Sequence, residues 1–96
     1  MKYAAVIDYL QDKAKVSELR PLHRQYLTGL LTRGKLVACG PFTDDSGALI
    51  IYEADSPQEA DQLLQADPFH QNGIFLRYQL QPWNAVMANR QLFPEA

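Results

Sequence analysis

A single cysteine, Cys39, in 96 residues excludes both an intramolecular disulfide and a cysteine-rich zinc site. Its neighbours Leu36-Val37-Ala38 are apolar, so it is expected as a small buried hydrophobe rather than a reactive thiol. No apolar run approaches the roughly 18–20 residues that cross a bilayer, and no signal-peptide core follows Met1-Lys2. The expectation is a cytoplasmic protein with no membrane partner. Cationic excess is absent too: nine Lys+Arg face eleven Asp+Glu, for a formal net charge of -2. Phosphate backbones meet no general positive field, and the basic-aromatic signature of RNA-recognition modules is missing, so nucleic acid is not an expected partner. The chain also has no G-x-G-x-x-G, no P-loop, no H-E-x-x-H and no G-x-S-x-G elbow. His23 and His70 are distant in sequence and lack a convincing third ligand. Neither a cofactor nor a metal is expected.

What remains is a chain 47% apolar, the proportion of an ordinary globular protein and the length of one domain. Residues 2–10 (KYAAVIDYL) are rich in β-branched and aromatic side chains and predict a first strand. Ser17 or Glu18 opens a helix with Pro21 in its first turn, and Leu19, Leu22, His23, Tyr26, Leu27, Leu30 and Leu31 form its apolar face. Gly34 suits the position just past that helix. A short strand over residues 35–39 ends at Gly40-Pro41, and a turn-rich loop, FTDDSG, leads into a third strand over residues 48–54. Ser56-Pro57-Gln58-Glu59 is a strong helix-start signature, and that second helix breaks at Asp67-Pro68. A fourth strand spans residues 74–81 and stops at Pro82-Trp83. Residues 84–96 form a weakly patterned tail after the domain of residues 1–83, with one helical turn expected around residues 86–89.

The order β-α-β-β-α-β in so short a chain predicts an α+β, ferredoxin-like fold with a four-stranded antiparallel sheet. Right-handed crossovers put both helices on one face. Strands one and three nevertheless carry apolar residues at both parities: Ala4 and Val6 beside Tyr3, Ala5 and Ile7, and Leu49 and Ile51 beside Ile50 and Tyr52. An uncovered apolar sheet face marks an interface, so a homodimer packed sheet to sheet is expected.

Few residues in this pattern carry chemistry. His23, on the apolar side of helix one, is either a core histidine or a general acid/base tuned by burial and a carboxylate. Asp67 before Pro68 caps a short turn in one reading; in the other it orients His23 and stabilises an imidazolium. Arg20, three positions before His23, either orients an anionic substrate or pairs with an acid. Ser46-Gly47 offers a hydroxyl and a close backbone N–H at the entry to strand three, Gly40-Pro41 turns the chain, and His70 reads as a surface histidine.

Taken in order, Arg20-Pro21-x-His23, Gly40-Pro41, Ser46-Gly47-Ala48, Glu53-Ala54-Asp55-Ser56, Asp67-Pro68-Phe69, Gly73-Ile74-Phe75 and Pro82-Trp83 resemble the YciI-like (YCII-related) domain family. The resemblance runs from the first strand through Trp83. It implies a dimeric α/β-barrel assembly and a His–Asp pair, here His23 and Asp67, as the active site. One family relative is a dehydrochlorinase of a chlorinated hydroxyhydroquinone. Many relatives have Ser where this chain has Ala48, and the loop before Gly47 is shorter than in some. The resulting expectation is a small cofactor-independent lyase, isomerase or dehydrohalogenase acting on a small organic molecule. In it Arg20, Pro41, Ser46 and Phe69 contact substrate, in a pocket between helix one, the sheet and the Asp67-Pro68-Phe69 turn. The alternative is a non-catalytic small-ligand binding protein using the same pocket.

Overall fold

Alternation governs β1, Lys2–Tyr9: Tyr3, Ala5, Ile7 and Tyr9 are buried while Val6 and Asp8 are exposed. The computed structural model describes residues 1–94, in the order β1, α1 (Lys13–Thr32), β2 (Leu36–Pro41), β3 (Gly47–Glu53), α2 (Pro57–Gln65), α3 (Pro68–Gln71), β4 (Phe75–Trp83) and a 3-10 turn at Arg90–Leu92. The sheet order is β2-β3-β1-β4 with every neighbouring pair antiparallel. This is the split βαββαβ, an α+β fold.

The first helix starts a turn earlier than its pattern suggested. Asp12 caps it, the carboxylate accepting from the Lys15 N–H at 3.1 Å. Pro21 is therefore interior, not in the first turn. It leaves the Ser17 carbonyl without an intrahelical donor, but both residues are exposed, so that carbonyl is on the wet side. The buried line is Val16, His23, Leu27 and Leu30, whereas Leu22 and Leu31 are about half exposed. At the far end Gly34 adopts φ +73. Its N–H reaches the Leu31 carbonyl at 3.2 Å and the Lys35 N–H reaches the Leu30 carbonyl at 2.8 Å, closing the helix as expected of a glycine there.

The second helix opens as its signature demands: Ser56 Oγ accepts from the Glu59 N–H at 3.1 Å, and the Glu59 carboxylate returns to the Asp55 N–H at 3.1 Å. The fourth strand runs past its expected stop, with Pro82 opposite Tyr3 and Trp83 opposite Lys2. Proline is tolerated because β4 is an edge strand whose outer side needs no N–H donor. No helical turn forms over residues 86–89; the only regular turn in the described tail is Arg90–Leu92.

One core lies between the helices and the inward sheet face, where Ile7, Leu30, Ile50, Leu64, Phe69 and Ile74 are fully buried. Each such side chain contributes about 1.5–3 kcal/mol. The opposite face has no helix. There Val6 and Leu49 stay 48% and 41% exposed beside Ala4 and Ile51, flanked by the Lys2–Glu53 and Arg77–Asp8 ion pairs. No helix of the described residues is long and apolar enough to cross a membrane.

Candidate functional site

Two local decisions bring His23 and Asp67 together. The helical period puts His23 on the buried line of α1. Asp67 follows the last residues of α2 and caps α3, its Oδ1 accepting from the Phe69 N–H at 2.9 Å. The packing of α3 against α1 then sets His23 Nδ1 at 2.7 Å from Asp67 Oδ1 and 2.8 Å from Oδ2. Asp67 has no exposed surface and His23 retains 6%. The capping role and the pairing role, which read as alternatives in the sequence, are held by one carboxylate.

Aromatic rings fix the imidazole plane. Phe69 stacks on it at 3.9 Å between centroids and 4° between planes, Phe75 meets it edge-on at 6.1 Å, and Tyr9 meets Phe69 edge-on at 5.5 Å. A carboxylate at Nδ1 holds the proton on that nitrogen and leaves Nε2 as the basic one. Nε2 makes no hydrogen bond among the described residues.

His23 also lines a cavity of about 320 Å³ between α1 and the β2–β3 half of the sheet. Tyr9, Arg24, Leu27, Cys39 and Pro41 share its wall. The hollow thus opens toward β2 and not, as the sequence suggested, against the Asp67-Pro68-Phe69 turn. Phe69 is completely buried, so its ring backs the imidazole rather than facing a ligand. Pro41 does line the cavity. Ser46 lies outside it, exposed in the β2–β3 loop, its N–H donating to Asp44 Oδ1 at 3.0 Å and its carbonyl accepting from the Tyr9 N–H at 2.9 Å. Arg20 is also outside: its Nη2 sits 2.7 Å from both oxygens of Asp45, so of its two readings the pairing with an acid is the one present. The strain of Asp45, at φ 60, lies at the point where the loop is tied to α1.

Three cavity residues escaped the sequence reading. Cys39 is exposed, not buried: β2 is an edge strand, and opposite Ile50 the cysteine faces the gap that α1 leaves open. Partial desolvation pushes its thiol up from 9.0. Tyr9, in the first strand, is only 4% exposed, yet it borders the cavity. Burial raises its hydroxyl to about 12, with Arg20 pulling down and Asp45 and Asp67 pushing up. Arg24 follows His23 directly, and its presence at the cavity depended on which side of α1 faced β2. No signal in the sequence pointed to it. Among the described residues no three His, Cys, Asp or Glu side chains converge as metal ligands.

The whole fold has a counterpart of known structure. 5-Chloro-2-hydroxyhydroquinone dehydrochlorinase (TftG) from Burkholderia phenoliruptrix AC1100, in complex with 2,5-dihydroxybenzoquinone, superposes with a TM-score of 0.76 over 88% of this chain and 94% of that one, at 24% sequence identity. At that identity the likeness is one of fold. Uncharacterized protein YjpA of Bacillus subtilis (strain 168) is 37% identical over 51 residues, which are 53% of this chain and 60% of YjpA. That match spans less than two thirds of the relative's length. Residues 1–84 match the YCII-related domain throughout, and the chain belongs to that family.

Proposed function

We propose that this protein is a small-molecule enzyme in which His23 moves a proton. Nε2 takes a proton from a substrate in the cavity while Asp67 holds Nδ1–H and stabilises the imidazolium. The electrons of the broken bond then expel a leaving group, or the proton returns to a different atom; lyase, dehydrohalogenase and isomerase outcomes share this first step. Of the expected substrate contacts, Pro41 borders the space, while Arg20 and Ser46 hold the β2–β3 loop beside it and Phe69 holds the imidazole. The step needs no cofactor. We further propose that the active form is a cytoplasmic homodimer joined through the helix-free sheet face, with the domain ending at Trp83 and the rest an arm.

The single observation carrying the reading is the double contact of a fully buried carboxylate with Nδ1 of a ring that lines a cavity. A merely structural histidine has no need of an open space next to it. The named reaction of the dehydrochlorinase of similar fold places hydroxylated ring compounds first among substrates to try.

The test is deuterium wash-in from D₂O, or chloride release, over a panel of hydroxyquinones and chlorinated hydroquinones. His23→Ala should slow any turnover found by about 10²–10⁴-fold. Full turnover in that variant removes the catalytic role. If the panel yields none, the His23 ring resonance decides: a pH titration unchanged by Asp67→Asn favours ligand binding without catalysis.

A further inference from the structure

Within the cavity the charges are one-sided. Of the side chains that line it, Arg24 alone is permanently charged, and no carboxylate among the described residues reaches the wall. Asp67, the nearest acid in the site, lies behind the imidazole and is fully buried. Arg20, the cation that the sequence singled out, is already neutralised by Asp45 at 2.7 Å. Arg24 makes no ion pair among the described residues, although Lys2, Arg20, Lys35 and Arg77 each have one. Cys39, on the β2 side of the cavity, senses both charges: after burial the Asp67 carboxylate raises the thiol's proton affinity further, and Arg24 pulls it down. The rest of the wall is largely apolar, with Leu27, Leu31, Leu36, Ala48 and Ile50. The Tyr9 hydroxyl has no hydrogen-bond partner among the described residues, and this ring borders the same space.

We infer that the cavity selects a small compound with an apolar body about one ring in size and one anionic group, the anion held by Arg24. A volume of about 320 Å³ is at the small end of ligand sites. An arginine fork in a partly desolvated mouth holds a carboxylate or a delocalised enolate oxygen through charge-assisted hydrogen bonds. The apolar body then packs on Leu27 and Ile50, next to Nε2 of His23. Tyr9 stays protonated near neutral pH and donates to a second oxygen where the ligand has one. The inference rests on the cavity being the space that His23 serves, but binding is measurable without any reaction.

The experiment compares benzoate with benzamide, which differ chiefly in charge, together with 2,5-dihydroxybenzoquinone, an acidic quinone that is anionic at neutral pH. Binding is followed through backbone amide shifts of α1, β2 and β3 in the full chain. Benzoate should bind about tenfold or more tightly than benzamide, the range that one charge-assisted hydrogen bond supplies, and added salt should narrow the gap. Arg24→Gln should bring the two within about twofold; Lys15→Gln, on the same helix but away from the cavity, should leave the difference intact. Arg24 is on the exposed side of α1, so its substitution spares the core.

Equal binding of benzoate and benzamide by the parent protein would overturn the inference. So would an anion preference that survives Arg24→Gln, one lost through Arg20→Gln instead, or no binding of either anion up to about 10 mM, well beyond the millimolar affinity of even weak ligands. Running the same titrations on His23→Asn separates this inference from the proposed chemistry. An intact anion preference with unaltered turnover there would sink the catalytic role alone. A preference indifferent to Arg24 with turnover abolished would sink the anion site alone.

Discussion

Replacing Asp67 by asparagine tests the site at its most informative atom. Asp67 accepts from the Phe69 N–H at 2.9 Å through Oδ1, and its two oxygens lie 2.7 and 2.8 Å from His23 Nδ1. An asparagine keeps one oxygen, so the α3 cap survives. The other position becomes an NH₂ that donates to Nδ1 and drives the ring proton to Nε2, removing the base. Turnover should fall by about 10²–10⁴-fold. The stability loss should stay at about 1–1.5 kcal/mol, the difference between a charged and a neutral hydrogen bond. Asp67→Ala is the contrast. It removes the cap, worth about 1 kcal/mol, and strips the buried imidazole and the Phe69 N–H of their acceptor. A loss of about 3–5 kcal/mol is expected, a large part of the 5–15 kcal/mol typical of a domain. Long-range ¹⁵N–¹H spectra of the His23 ring report the tautomer, and urea unfolding reports stability. An Asp67→Asn protein with the parent tautomer, or one destabilised as much as Asp67→Ala, would refute the reasoning.

Three further outcomes follow from the fold. Val6→Lys and Leu49→Lys put charges on the helix-free sheet face, where the parent residues are 48% and 41% exposed, and should convert a dimer to a monomer in sedimentation velocity; a parent that is already monomeric at micromolar concentration refutes the sheet-to-sheet dimer. Gly47→Ala should destabilise by about 1–3 kcal/mol or more, because a Cβ there would stand 1.9 Å from the Ile7 carbonyl oxygen, a backbone atom that cannot step aside; an unchanged urea midpoint refutes this close approach. The Tyr9 hydroxyl, raised from 10.0 to about 12 chiefly by burial, keeps its proton in the folded state after the unfolded chain has released its own. Its stabilising contribution is therefore complete below about pH 10 and disappears as pH rises toward 12. Tyr9→Phe should flatten the alkaline fall in stability without abolishing it, since burial raises Tyr52 as well; an unaltered alkaline slope refutes the assignment.

Where one turn of chain settles the outcome, the primary structure was legible. Ser56 and Glu59 close the start of α2, Gly34 ends α1 with φ +73, and Asp67-Pro68 opens α3. In each case the donor and acceptor lie within a few residues of each other. The β-α-β-β-α-β order, through right-handed crossovers, likewise announced a sheet face without helices. The misreadings arose where a local preference met a tertiary one. Pro21 marked a helix start by its ring chemistry, but the Asp12 cap and the burial of Val16 in the core begin the helix at Lys13. Pro82 marked a strand end, but an edge position made its missing N–H harmless.

The amino-acid order alone thus set the element sequence, the caps and the two chemically apt residues, because periodicity and capping are satisfied by atoms close along the chain. Whether His23 and Asp67 touch, forty-four positions apart, depended on how α1 crosses the sheet and where α3 docks. The same crossing placed Arg20 against Asp45, left Arg24 at the cavity and uncovered Cys39 at the β2 edge. Such contacts arise from packing between elements, and no spacing rule along one strand or helix encodes them.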